Sequence, residues 1–161
     1  MKITFKESGK TLSLEVKGYE FPYNKDNDLY DNNWLNIGVS FRDGASKSDC
    51  VDPCLLTWEM GHISDGLEKL LSGERDSFTD EDIWLLEPYI RFTIKRISDN
   101  RFSVRVGFMS GKIGSDKAIV NQIMSARELS RLNTAIKLGT RKFPAVYNCE
   151  ETVRIENMEG K

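Results

Sequence analysis

The sequence lacks the motifs that carry the common enzyme chemistries. It contains no serine nucleophile elbow, no glycine-rich phosphate loop that ends in Lys-Ser or Lys-Thr, and no dinucleotide-binding fingerprint. Gly107, Gly111 and Gly114 lie in a turn-like stretch without the preceding parallel strand and the following helix that such a fingerprint requires. We therefore expect a protein that is not an enzyme, with no catalytic residue and no cofactor.

Histidine is nearly absent as well, since His62 is the only one. A general base needs a substrate proton within hydrogen-bond reach and a group that orients it, and the sequence offers only Asp65 nearby. A surface or capping histidine is the simpler interpretation. The alternative is an enzyme or a small-ligand-binding protein that uses His62 together with loop carboxylates.

Three cysteines, an odd number, are a poor basis for a disulfide framework and suit a reducing compartment. Cys50 and Cys54, with Asp49 and Asp52 beside them, form the one cluster that suggests a metal. Structural zinc takes four ligands, usually as two close pairs, and Cys149 is distant in the sequence. We expect Cys54 in the core, Cys50 in a loop and no bound metal.

Long hydrophobic runs are also missing. No run suits a membrane-spanning helix, and charges interrupt the first ten residues before a signal-peptide core can form. We expect a cytoplasmic protein without membrane contact. Its 39% hydrophobic and 30% charged residues exclude the disordered and fibrous classes. A length of 161 residues suits one domain, which we place at residues 1–161.

The small net charge of −2 conceals an asymmetry between the two halves of the chain. Residues 1–90 hold 18 acidic and 9 basic side chains, whereas residues 91–161 hold 7 acidic and 14 basic ones. Such segregation produces oppositely charged faces only if strands of the two halves do not pair. Because a single sheet usually mixes distant parts of a chain, we expect the asymmetry to cancel for the most part.

Apolar side chains at every second position predict the strands. They indicate a hairpin over Ile3–Tyr19, a strand over Trp34–Phe41, a second hairpin formed by Tyr89–Ile97 and Phe102–Phe108, and a strand over Ala118–Met124. The stretch 54–71 changes period, which predicts a strand through Leu56, Trp58 and Met60 that passes into a short helix ending at Gly73.

The second helix has the clearest start signal. Ser125 and Glu128 form a capping box, and Gly139 stands where a left-handed cap is expected. In the first helix, Gly61 and Gly66 weaken the helical state by about 1 kcal/mol each relative to alanine. The pattern as a whole predicts an α+β fold, an antiparallel β-sheet of about six or seven strands with two helices packed against it. Residues 145–161 would add an edge strand or a tail.

Carboxylates concentrate in two turn-rich segments, 20–33 and the loop after the first helix. Solvated loops are the simplest interpretation, and the sharper one is an acidic recognition surface for a basic partner protein. The candidate partner-binding residues are Asp26, Asp28, Asp31, Glu74, Asp76, Asp80, Glu81 and Asp82.

Aromatic residues allow a nucleic-acid-binding alternative. Trp34 and Trp58 fall in strand patterns and are expected in the core, whereas Trp84 fits either a core or an exposed position. In the run 101–105, alternation sends Phe102 inward and Arg101 and Arg105 outward, which leaves a basic strand face.

Four short stretches can be compared with a known family, and they are Gly18–Pro22, Tyr30–Leu35, Asp52–Glu59 and Leu86–Phe92. In their order and spacing they resemble the WapI-like immunity proteins of bacteria, and the resemblance runs from about Ile3 to Pro144. It implies a cytoplasmic antidote that binds and occludes a cognate secreted toxin domain, which in some systems resembles a tRNA-cleaving nuclease. No catalytic residue is carried over, because the stretches look structural, as in the turn expected at Asp52 and Pro53.

Overall fold

Two antiparallel sheets and two helices make up the fold. The computed structural model describes residues 1–111 and 118–147, and these contain eight strands in two sheets of four. In chain order the elements are β1 Lys2–Glu7, β2 Lys10–Tyr19, β3 Trp34–Asp43, β4 Ser46–Leu56, α1 Thr57–Ser72, β5 Ser77–Thr79, β6 Ile90–Ser98, β7 Arg101–Phe108, β8 Ile119–Ser125 and α2 Ala126–Lys142. The predicted α+β class is confirmed.

The expectation of one sheet with six or seven strands is wrong. Strands β1 to β4 pair in sequential order, α1 then carries the chain away, and β5 to β8 pair in sequential order to form the second sheet. The sheets meet where β1 lies beside β8: the Lys6 amide N donates to Gln122 Oε1 at 2.9 Å, and the Asn121 amide N donates to Glu7 Oε2 at 3.2 Å. In both hydrogen bonds between the sheets the acceptor is a side chain, so β1 and β8 are not joined here by backbone pairing.

This division also bears on where the charges of the two halves lie. The first sheet is built entirely from residues 2–56, which belong to the acidic half of the chain, and three of the four strands of the second sheet come from the basic half. The four strands of the first sheet nevertheless hold six basic and five acidic side chains, so the acidic excess of the first half lies mainly in residues 57–90, which hold nine acidic and two basic side chains.

The core follows the alternation of the strands, as predicted. Phe5, Leu12 and Phe41 stand opposite one another across β1, β2 and β3 and are all buried. In the second sheet, Phe102 and Val104 point inward, whereas Arg101 and Arg105 are exposed, so the predicted basic strand face is confirmed in its orientation. Burial of each large apolar side chain contributes about 1.5–3 kcal/mol, which makes these rows the main source of stability.

Both helices cross this core and contact each other. Ser64 Oγ on α1 donates to Asn133 Oδ1 on α2 at 2.7 Å, and both side chains are buried. Neither helix, within the residues that the structure describes, is long and apolar enough to cross a membrane.

Two of the three predicted helix boundaries are confirmed. The Ser125 amide donates to Glu128 Oε2 at 2.8 Å and the Glu128 amide donates to Ser125 Oγ at 3.3 Å, which completes the capping box of α2. Gly73 ends α1 with a left-handed φ of 84°. Gly139 does not end α2, which continues to Lys142. A Cβ at Gly139 would lie 2.7 Å from Met1 Sδ, so the glycine permits close packing between α2 and Met1.

Strand β4 differs most from the sequence-based expectation. It runs into α1 without a loop, so Trp58 and Met60 are helical and the strand predicted through them is wrong. The turn expected at Asp52 and Pro53 is instead a β-bulge in this edge strand, where Leu35 pairs with Leu55 but Asn36 pairs with Pro53. Cys50 lies in β4 and not in a loop.

Cys54 is fully buried, as expected. Residues 145–147 follow α2 without strand structure, and residues 148–161 of the predicted edge strand or tail lie outside the described ranges.

Candidate functional site

The two acidic segments meet at the N-terminal end of α1. In the first segment, residues 20–33, the Tyr30 ring packs edge-on against the Trp58 ring with 5.8 Å between centroids. The Thr57 amide donates to the Asn33 carbonyl at 3.1 Å. Because Thr57 and Trp58 form the first turn of α1, the segment is held directly against that end of the helix.

The side chain of Asn33 holds the first segment in place through four hydrogen bonds. Its side chain is fully buried, and Nδ2 donates to the carbonyl oxygens of Leu29 and Val146, each at 2.7 Å. Its Oδ1 accepts from Thr57 Oγ1 at 2.7 Å and from the Val146 amide at 2.8 Å. One amide group therefore joins the acidic loop, the start of α1 and the chain that follows α2.

Glu59 holds the second acidic segment, residues 74–88, through hydrogen bonds of its carboxylate. It is 3% exposed, its Oε2 accepts the Leu56 amide at 2.7 Å, and its Oε1 accepts the Leu86 amide at 2.7 Å. The first bond satisfies a free amide at the start of the helix, and the second ties residues 80–88 to α1. Burial raises the pKa of Glu59, against the lowering effect of the two amide donors and of His62.

This pKa gives a testable dependence of stability on pH. Since the folded protein holds the Glu59 proton more tightly than the unfolded chain does, the resulting stabilisation is complete below the unfolded pKa of about 4.3 and is lost as the pH rises through the folded pKa. We expect Glu59→Gln to lower the free energy of unfolding by about 1–3 kcal/mol, and most at acidic pH. Urea unfolding of both proteins between pH 4 and 8 measures the difference.

The matched control is Glu128→Gln at the corresponding position of α2. Glu128 is exposed, and the Ser125 amide holds its pKa below the usual range. The stability it contributes is therefore present above the unfolded pKa and is lost as the pH falls, the opposite sign to Glu59. If the loss caused by Glu59→Gln grew with pH, as that of Glu128→Gln should, the amide donors and not burial would dominate at Glu59.

The predicted acidic residues of the first segment lie at its surface. Asp26 and Asp28 are exposed and Asp31 is half-buried. Asp28 Oδ1 accepts the Asp31 amide at 2.8 Å, which stabilises the turn between them. Their role in partner binding stays a prediction.

The predicted residues of the second segment divide into two groups. Asp80 is only 9% exposed, and its carboxylate accepts the Phe92 amide at 2.8 Å and Arg91 Nη1 at 2.7 Å. Asp82 Oδ2 accepts the Thr79 amide at 2.7 Å. These two carboxylates support the backbone of the segment, whereas the remaining three are exposed, namely Glu74, Asp76 and Glu81.

Between these carboxylates the structure displays Trp84. Its side chain is 89% exposed, and its backbone has a φ of 51°, in the left-handed region that bulky residues rarely occupy. The indole separates two open grooves. One is lined by Asp80, Glu81, Leu85, Pro88 and Arg91, and the other by His62, Asp65, Lys69, Arg75, Phe78 and Asp82 among its residues.

The outward face of α1 connects the two segments. Trp58, His62, Asp65 and Lys69 follow one another at spacings of four, three and four residues, which places them on one side of the helix. His62 is exposed on this face, and Trp34 and Trp58 are half-buried instead of belonging fully to the core. We call the surface formed by Tyr30, Trp58, His62, Asp65, Trp84 and Leu86 the α1 surface.

The α1 surface is rich in exposed apolar side chains for its size. Tyr30, Trp84 and Leu86 all expose about half of their area or more, and Phe21 and Tyr23 do so at or near that level in the first segment. Within the ranges 1–111 and 118–147, no three His, Cys, Asp or Glu side chains are grouped so as to hold a metal ion. Apolar anchors with a polar rim are typical of protein interfaces.

The family model of the WapI-like immunity proteins matches residues 2–144, which include every strand and helix described above. The chain belongs to this family. As a WapI-like immunity protein it has an immunity role, and the partner of such a protein is in general a toxin that it inhibits.

Other comparisons add little. No curated protein matches this WapI-like chain. Among solved structures, WHY3 and WHY1 of Arabidopsis thaliana are each 14% identical to it, with TM-scores of 0.44 and 0.45, and the alignments cover 100% of this chain and 97% and 93% of theirs. The plant transcriptional regulator PBF-2 is 16% identical, with a TM-score of 0.39 and coverage of 100% and 88%. At these TM-scores the likeness supports no functional inference.

Proposed function

We propose that this protein binds a cognate secreted toxin domain in the cytoplasm and inactivates it by covering the toxin's working surface, without chemistry of its own. Family membership over nearly the whole described fold carries the proposal. The rigid attachment of two acidic segments to α1 supports it, because a preordered surface loses little conformational entropy when it binds. An interface of standard size would bury about 1,600 Å² in total.

The charge of the two segments favours a basic toxin. Residues 20–33 contain four carboxylates and one lysine, and residues 74–88 contain six carboxylates and one arginine. A nuclease carries positive charge where it binds the phosphates of its substrate. An acidic inhibitor would meet such a surface with complementary charge, which accelerates association and excludes the nucleic acid.

The first test is protection of cells. Co-expression with the toxin domain encoded by the adjacent gene should restore growth and yield a complex that co-purifies. A toxin that kills equally well in the presence of the protein, and does not bind it, would refute the proposal.

The second test separates charge from contact. We expect Asp26→Lys combined with Glu81→Lys to slow association with the toxin domain by about tenfold or more at low salt, because both side chains are exposed within the acidic segments. The matched control is Asp43→Lys with Asp99→Lys, which changes the net charge equally. Asp43 ends β3 at the opposite end from the first segment, and Asp99 lies in the hairpin between β6 and β7.

Stopped-flow measurements of the association rate test this effect. They should span salt concentrations from about 20 mM to about 500 mM, because screening becomes strong over this range. The acidic-segment variant should lose most of its salt dependence and the control variant should keep it. Equal loss in both variants would mean that net charge, and not these two segments, steers the toxin.

A further inference from the structure

Carboxylates hold the segment that carries Trp84 at three points. Asp82 binds the Thr79 amide, Asp80 binds the Phe92 amide, and Glu59 on α1 binds the Leu86 amide. Residues that occupy the left-handed region without being glycine persist only where the surroundings over-determine them, at an energetic cost of about 1–3 kcal/mol. Three carboxylates therefore hold the backbone that presents one large apolar side chain to solvent.

We propose, on the basis of the proposed function, that Trp84 is the anchor of the complex and that its indole inserts into an apolar pocket on the toxin. Tryptophan is enriched among the few residues that dominate binding energy, and an anchor on a fixed backbone avoids the cost of ordering a loop. The grooves on either side of the indole accept the side chains that form the walls of this pocket.

The charges beside the indole define the rim of the pocket. Asp80 pairs with Arg91 at 2.7 Å and Asp82 lies 3.7 Å from Arg75, whereas Glu81 is exposed and Glu87 is half-buried within the same segment. Lysine or arginine side chains around the pocket match these two carboxylates. The occupant is thus a basic toxin surface with an apolar cavity, and not a second copy of this acidic segment, which like charge would repel.

Calorimetric titration with the toxin domain of the adjacent gene, inactivated at its own catalytic residue, tests the anchor. Trp84→Ala should weaken binding by at least about thirtyfold, the range of an interface hot spot. Ile123→Ala is the matched control, because Ile123 is a large apolar residue, 48% exposed, on β8 of the second sheet. It should leave affinity within about twofold, as expected for a residue outside the interface.

Trp84→Gly distinguishes an anchor from a structural residue. Glycine adopts the left-handed backbone without strain, so this variant should unfold at the same or a higher denaturant concentration than the wild type while losing affinity as Trp84→Ala does. A loss of affinity accompanied by unfolding of both variants would overturn the anchor, because it would mean that Trp84 supports the fold.

Fluorine NMR locates the side chain in the complex. Protein labelled with 5-fluorotryptophan has three indoles, and Trp84→Phe identifies the Trp84 signal. On addition of the toxin domain this signal should shift and lose its response to D₂O, because the indole leaves water. Binding by the wild type with an unmoved Trp84 signal, or with unchanged affinity of Trp84→Ala, overturns the anchor and leaves the proposed function intact.

Two remaining outcomes are also decisive. Absence of any binding by the wild type refutes the proposed function and the anchor with it. A monomer–dimer equilibrium that Trp84→Ala abolishes, with unchanged affinity for the toxin domain, assigns the indole to contact between copies and overturns the anchor. Sedimentation velocity on the free protein measures that equilibrium.

Discussion

Replacing Asn33 with alanine is expected to lower the free energy of unfolding by about 3 kcal/mol, because several buried or half-buried polar groups lose their partner at once. The carbonyl of Leu29, the hydroxyl of Thr57 and both backbone groups of Val146 bind this one side chain. A buried group left without a hydrogen bond costs about 1–3 kcal/mol, so the loss exceeds that of an ordinary hydrogen bond.

The adjacent Asn32 provides a matched control for this experiment. It is also buried, but its side chain binds within the first segment, where Nδ2 donates to the Asn24 carbonyl at 2.9 Å and Oδ1 accepts the Asn24 amide at 3.1 Å. Asn32→Ala should cost about 1 kcal/mol in urea unfolding. Equal losses for the two variants would mean that Asn33 does not join α1 and the chain after α2 as described.

The second large effect concerns two glycines of α1 that look alike in the sequence. Gly66→Ala should destabilise the protein by about 2 kcal/mol or more, because a Cβ there would overlap the ring of Phe78, which is buried and packs against Phe92 at 5.1 Å. Gly61→Ala, in the same helix with open space around it, should stabilise by about 1 kcal/mol through helix propensity.

A double-mutant cycle checks the cause. Phe78→Leu removes the ring that the new methyl group would strike, so Gly66→Ala should be far less damaging in that background, with a coupling energy of about 1–2 kcal/mol. Thermal unfolding of the four proteins measures it. Additive effects would show that the Phe78 ring simply moves aside.

The strands were predictable because their apolar alternation is local, but their grouping was not. Alternation predicts that the side chains of Phe5 and Phe102 face a core, but it contains no information on which strands share a sheet. The division into two sheets depends on α1 leaving the first sheet after Leu56, which is a tertiary event. Residues 54–60 fit a strand and a helix equally well. The sequence pattern therefore extends the strand to Met60, whereas α1 begins at Thr57.

The start of α1 carries no conventional signal. Its N-cap is Leu56, which has no side-chain acceptor, and Glu59 supplies the hydrogen bond to the Leu56 amide instead. Gly66 argues against a helix by propensity and is explained only by Phe78, twelve residues later in β5. Neither fact is visible in the sequence, because each depends on which groups the fold brings together.

The candidate site was predictable in composition and not in detail. The acidic segments are evident in the sequence, but the partners of Asp80 are Arg91 and Phe92 on a different element, so its supporting role could not be inferred. The burial of Trp84 cannot be predicted from the sequence, because its neighbours are apolar without a period. Its left-handed backbone and its exposed indole are visible only in the structure.

The edges of both sheets bear on how specificity can evolve. The exposed edge of the first sheet is β4, where Pro53 lacks an amide donor and the bulge interrupts the ladder, and that of the second is β5, with three residues. Neither edge is suited to accept a foreign strand by main-chain pairing. If the proposed binding surface is correct, recognition depends on side chains displayed by two tethered loops, and a new toxin variant can be matched by point substitutions that leave the architecture untouched.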